Sequence, residues 1–169
     1  IRDARKSRGL GDVYKRQIDT ETTSLNPHLA ELVGISLATD IGKSCYIPLK
    51  HISKEVLDTN KVIRKIKPIL EDKSIKKIGQ NIKYDYIVFY HQGIRMNSME
   101  DTMLISYVLD AGKNRHNMDT LSEIHLGHKT IQYKDLVGTG KKQLTFDQVE
   151  IQKATEYAAE DADVTLRLY

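Results

Sequence analysis

Beyond residue 17 the sequence alternates between short β-branched, apolar stretches and longer stretches with helical spacing, which confines the fold to the α/β class. Residues 31–39 (ELVGISLAT) and 44–49 (SCYIPL) read as two strands, and Asp40-Ile41-Gly42-Lys43 between them suits a hairpin turn. Residues 54–72 carry Val56, Leu57, Val62, Ile63, Ile66, Ile69 and Leu70 at helical spacing, with an interruption expected near Pro68. A short strand follows at 75–79 (IKKIG), and Asn81 is expected to cap a helix through Tyr84, Ile87, Val88 and Tyr90. Further helices are expected within 99–109, at 118–126 and over 147–169, separated by Gly112, Gly127, Gly138 and Gly140. The resulting order, β-β-β-α-β-α-β-α-α-α, describes a mixed sheet flanked by helices. The 169 residues and 40% apolar content suit a single core.

Charge is unevenly placed. Residues 1–17 (IRDARKSRGLGDVYKRQ) hold six basic and two acidic side chains, which leaves 20 basic and 21 acidic for the rest. The overall +3 therefore comes from this segment, and bulk charge gives no argument for nucleic-acid binding by the remainder. The segment has neither helical nor strand period and meets Ile18 abruptly, like the translation of a sequencing-adapter junction. It is set apart as non-native or disordered, a native basic tail being the alternative, with the domain proper expected over 18–169. No stretch of about 18 apolar residues and no signal peptide is present, so a cytoplasmic location is expected. The single cysteine, Cys45, excludes an internal disulfide and a thiolate zinc cluster, and reads as a small buried apolar residue.

Three groups of carboxylates stand out. Asp19 and Glu21 are two residues apart, so an extended strand points both to one face, where they repel unless a cation lies between them. Asp85 falls on the first turns of the helix after Asn81. Tyr157 and Asp161, four apart and separated by alanines, share a helical face. Each taken alone is more simply a solvated acid, a compensated helix dipole or a packed tyrosine. Glu160 and Asp163 point elsewhere around the last helix and read as solvated, and histidines 28, 51, 91, 116, 125 and 128 as surface or satisfied core residues.

Taken together and in order, Asp-x-Glu, Asn-x-Lys-Tyr-Asp and Tyr-x-x-x-Asp resemble the DEDD exonuclease superfamily in its tyrosine-bearing subgroup. The stretches DTETTSLNP, IGQNIKYD, NMDTLSEIHLGHKTI, GKKQLTF and YAAEDADVTL are further similar to the 3′→5′ proofreading domains of bacterial DNA polymerases I. The resemblance implies a ribonuclease-H-like fold and two divalent ions, Mg²⁺ or Mn²⁺. Asp19, Glu21 and Asp161 would hold one and Asp19 with Asp85 the other, an oxygen-only set that suits hard cations. It also implies that Tyr157 positions the attacking water, since a phenol is a poor base at neutral pH. Thr22, Leu25, Gln80, Asn81, Tyr84 and Tyr133 would contact a single-stranded or frayed DNA 3′ end, with Leu25 as a wedge and Tyr133 either stacking on a base or packing. Lys141 and Lys142 would touch phosphates or simply be solvated. A covalently linked polymerase domain is the implied partner. An exoribonuclease of the ribonuclease D type and a catalytically silent structural domain are the alternatives. One departure is that the residues before Ile18 are not the apolar stretch that leads this strand in the family.

Overall fold

The computed structural model describes residues 14–169. Five strands form a mixed sheet in the order β3-β2-β1-β4-β5. β1 (Tyr14–Thr22), β2 (Leu32–Asp40) and β3 (Lys43–Pro48) make an antiparallel meander, while β4 (Ile75–Gly79) and β5 (Met99–Asp101) run parallel to β1. The helices are α1 (Thr59–Glu71), α2 (Lys83–His91), α3 (Thr102–Asp110), α4 (Met118–Leu126), α5 (Tyr133–Val137) and α6 (Ile151–Leu168). Short 3₁₀ turns lie at Gly140–Lys142 and Phe146–Gln148. Among the described residues no helix is long and apolar enough to cross a membrane.

Each sheet face has its own core. On one, Ile18 and Ile35 meet Val62, Ile66 and Leu70, which repeat every four residues along α1, together with Val88 and Phe89 of α2. Burying each of these aliphatic side chains contributes about 1.5–3 kcal/mol. On the other face Val33 and Tyr46 meet Val137, Phe146, Val149, Ala154 and Ala158. Ala154, Ala158 and Ala162 are all fully buried and lie one turn apart, so α6 turns a flat stripe toward the sheet. That stripe sets how near Tyr157 and Asp161 come to β1. Gly34 is required here because a Cβ would lie 2.1 Å from the Tyr46 hydroxyl oxygen.

Several expectations are corrected. Residues 14–17, within the segment set apart as non-native or disordered, are not disordered: they form the first half of β1 and pair with residues 75–78 of β4, a pairing open to a foreign sequence because it needs no apolar side chain. Residues 1–13 lie outside the described part. α1 begins at Thr59, where the Asp58 side chain accepts from the Lys61 N–H at 2.8 Å, and it runs through Pro68 to Glu71. α6 begins at Ile151 because residues 146–148 form a separate turn closed by a Thr145/Gln148 capping box. Cys45 is exposed, since β3 is an edge strand with a solvent-facing side. α3 leaves Leu104, Tyr107, Val108 and Leu109 more than half exposed.

Candidate active site

Strand alternation puts Asp19 and Glu21 on the α6 side of β1, at the end of the strand where its register with β2 shifts. Tyr157 and Asp161 reach the same place from α6, and Asp85 from the first turn of α2. All eleven side chains anticipated from sequence line one cleft of about 760 Å³: Asp19, Glu21, Thr22, Leu25, Gln80, Asn81, Tyr84, Asp85, Tyr133, Tyr157 and Asp161. Met118, Gln143, Leu144, Thr145 and Thr165 also line it.

Asp85 is 1% exposed and anchored to the chain between the two strand acids: its Oδ1 accepts from the Thr20 N–H at 2.9 Å and the Thr20 hydroxyl at 2.5 Å. The start of α2 is held from behind by Asp101, which sequence reading missed. Its carboxylate accepts from the N–H groups of Asn81 and Ile82 at 3.0 Å and of Met103 at 2.9 Å, so one side chain caps α3 and fixes the turn bearing Asp85. An Asp directly before the apolar run TMLISYVL was the available cap signal. Asn81, by contrast, does not cap α2. It adopts a left-handed backbone (φ 58°), and Ile82 precedes the helix without a side-chain cap bond. The Thr102 hydroxyl donates to Gln80 Oε1, and Gln80 Nε2 donates to the His116 carbonyl at 2.8 Å. Tyr84 hydrogen-bonds Thr22 and the Ser24 carbonyl, tying α2 to the loop after β1. Leu25, on that loop, is 96% exposed at the cleft. Tyr133 packs face to face on Phe146 and edge-on to Tyr157.

Outside the cleft, Glu160 is not simply solvated. It accepts from His128 Nε2 at 2.8 Å and the Ile131 N–H at 2.7 Å. Asp163 accepts from the Gly42 N–H at 2.5 Å, which ties α6 to the β2–β3 hairpin. Lys142 is exposed, and the Lys141 side chain lies outside what is described.

Burial and crowding push the site acids upward. Asp19 is raised to about 6, chiefly by burial and in spite of hydrogen bonds with Asp85 and Thr20 that favour its ionised form. Glu21 lies well above the usual carboxylate range through burial and then repulsion from Asp19, Asp161 and Asp85. Asp85 and Asp161 are raised for the same two reasons, burial first and Asp19 next. The Tyr157 hydroxyl is pushed far above its ordinary value by burial, then by Asp161 and Glu21, so it stays protonated throughout the working range. Asp161 Oδ1 is buried with no hydrogen-bond partner.

This donor set fits divalent cations that prefer oxygen: four carboxylates, one buried oxygen without a partner, and a repulsion that added positive charge relieves. No three of the described His, Cys, Asp or Glu side chains are gathered closely enough to enclose an ion unaided. Mg²⁺ does not need that, since it is commonly held by one or two carboxylates with water and substrate phosphate oxygens.

A stability consequence follows. A carboxyl whose pKa is higher folded than unfolded binds protons more tightly in the folded state. Its contribution is therefore complete below the unfolded value and is lost as pH rises through the folded one, for Asp19 between 3.8 and about 6. Mg²⁺ held by these acids would compete with those protons, so its stabilising effect would grow with pH. Thermal melts with chelator and with saturating Mg²⁺ should separate by about 5 °C or more near pH 8 and converge near pH 5. An Mg²⁺ effect equal at both pH values would contradict this account of the acids.

The 3′-5′ exonuclease family model matches residues 13–169. The chain belongs to that family. The match begins five residues ahead of Ile18, in keeping with the start of β1. DNA polymerase I of Rhizobium leguminosarum is 48% identical over 172 residues, covering 89% of this chain and 17% of the polymerase. DNA polymerase I of Pseudomonas aeruginosa is 49% identical over 157 residues, again 89% of this chain and 17% of the relative. The chain thus spans about a sixth of the length of these relatives. Among solved structures, Brucella melitensis NrnC superposes with a TM-score of 0.69 at 23% identity, over 93% of this chain and 70% of that one. Trypanosoma brucei RNase D superposes at 0.72 with 14% identity, over 93% and 56%. These two share the ribonuclease-H-like fold with this exonuclease.

Proposed function

We propose that this exonuclease is the proofreading 3′→5′ exodeoxyribonuclease domain of a bacterial, cytoplasmic DNA polymerase I, of the tyrosine-bearing DEDD subgroup, acting on single-stranded or frayed DNA 3′ ends. The observation that carries the reading is the convergence of Asp19, Glu21, Asp85, Tyr157 and Asp161 from three separate elements onto one open cleft. Identity near half with two DNA polymerases I supports DNA over RNA, whereas the ribonuclease D likeness is one of fold. A catalytically silent domain is disfavoured because every acid of the set is present. The apolar, exposed outer side of α3 supports a covalently attached polymerase, whose surface would cover it. In this reading residues 1–17 are of foreign origin, with residues 14–17 completing β1 by main-chain pairing, and residues 18–169 are the native exonuclease sequence.

Asp19, Glu21 and Asp161 would hold one Mg²⁺ or Mn²⁺, and Asp19 with Asp85 a second. When bound, the two ions supply Lewis-acid chemistry, neutralising charge on the scissile phosphate and acidifying the attacking water. The protein's own groups do the rest. Asp85 is kept in place by both Thr20 donors. The protonated Tyr157 hydroxyl donates to Asp161 and orients the water for attack on phosphorus, after which the 3′ oxygen leaves with a proton and a 5′-nucleotide departs. Leu25 wedges against the last base, while Thr22, Gln80, Asn81, Tyr84 and Tyr133 line the path of the strand.

The test compares four 5′-labelled substrates under single turnover: DNA with a mismatched 3′ terminus, the same duplex fully matched, and the single strand both as DNA and as RNA. Fraying costs a few kcal/mol and least at a mismatch, so the mismatched end should be cut about tenfold faster or more. Equal rates on the two duplexes would sink the proofreading role. RNA cut as fast as its DNA counterpart would transfer the assignment to the ribonuclease D type.

A further inference from the structure

His28 and His91 come from distant parts of the chain, one on the loop between β1 and β2, the other in the last turn of α2. Their ring nitrogens nevertheless face each other across 3.3 Å, His28 Nδ1 to His91 Nε2, with the rings edge to face at 78°. Two imidazoles on one tetrahedral transition-metal ion, each about 2.0–2.1 Å from it, stand roughly 3.3–3.4 Å apart. We propose that His28 and His91 form a second metal site, a two-histidine clip for a borderline divalent ion that binds imidazole tetrahedrally, Zn²⁺ above all.

Three further observations bear on it. Both side chains are exposed, so an ion enters from solvent and completes its shell with water. The donors are imidazole nitrogens, which discriminate against Mg²⁺ and so keep this site chemically distinct from the all-carboxylate cleft. His91 sits at the C-terminal end of a helix, where the partial negative charge of the last carbonyls favours a cation. The clip also has a mechanical meaning. At its base the loop is closed by the Thr23 N–H to Glu31 carbonyl bond (3.1 Å), and near Ser24 it is tied to Tyr84. Its tip folds on itself through the His28 N–H to Asn26 Oδ1 bond (3.1 Å). Bridging His28 to His91 fixes the tip to α2, with Leu25 between the two attachments. Transition-metal binding would therefore set the position of the cleft-edge Leu25 without touching a carboxylate.

Calorimetric titration of Zn²⁺ into tag-free Asp19→Asn/Asp161→Asn protein, in excess Mg²⁺, isolates this site from the cleft. One equivalent should bind, raising the melting temperature by about 5 °C at saturation. His28→Asn and His91→Asn, each alone in that background, should weaken binding at least about tenfold and abolish the thermal shift. Loss in only one variant would mean adsorption to a single histidine, and undiminished binding in both, or none in the parent, would equally overturn the clip. None of these outcomes depends on the nuclease activity.

Discussion

Asp19→Ala and Asp161→Ala are each expected to lower single-turnover DNA hydrolysis by about a thousandfold or more, since under the proposed assignment either loses a ligand of the catalytic ions and several kcal/mol of transition-state stabilisation. The fold should not suffer in parallel. Asp161 contributes a buried oxygen with no partner and takes part in the repulsion that raises Glu21, so its removal relieves a cost in chelator. Melts in chelator should show Asp161→Ala at least as stable as the parent, whereas the Mg²⁺-induced gain in melting temperature should vanish. Tyr157→Phe makes the instructive contrast. It keeps the ring packed against Tyr133 and Phe146 but deletes the hydroxyl, and a fall of about 10 to 100-fold with unchanged Mg²⁺ affinity marks a positioning role. A folded Asp19→Ala or Asp161→Ala protein that cut DNA near the parental rate would refute the ligand assignment.

Gln17→Val is expected to stabilise the domain by about 3 kcal/mol, because the side chain is fully buried and neither amide atom has a hydrogen-bond partner, each orphan costing roughly 1–3 kcal/mol. Gln17 lies in the middle of the sheet, opposite Ala38 on β2 and Ile78 on β4, where a β-branched residue packs well. The backbone thus continues the strand while a polar side chain occupies a fully buried position. A rise of about 5–10 °C in melting temperature, with no change in nuclease rate, is the expected reading. Destabilisation by Gln17→Val would show that the amide has a buried partner, a bridging water being the plainest candidate.

Much of this was legible in the chain because the signals are local. β4 and α4 fall at the residues their patterns indicate, since IKKIG is bounded by Ser74 and Gly79 and MDTLSEIHL by Asn117 and Gly127. Of the eleven cleft residues, spacing alone places Asp19 with Glu21 and Tyr157 with Asp161, while the resemblance supplied their grouping with Asp85 and all six of the residues expected along the strand. What escaped is non-local. Asp101 looks like an ordinary helix cap, and only the parallel register of β4 and β5 carries it beside Asn81 and Ile82. Glu160 looked solvated until the segment from His128 to Ile131 closed over it. Residues 14–17 carry no strand signal because main-chain pairing with β4, not their side chains, makes them a strand.

The most direct test of the central claim is digestion of a single-stranded DNA labelled at its 5′ end, with Mg²⁺ and with chelator. A ladder shortening one nucleotide at a time from the 3′ end, present with Mg²⁺ and absent with chelator, is the predicted result. Internal cleavage, release of the label from the 5′ end, or an undiminished ladder in chelator would contradict it.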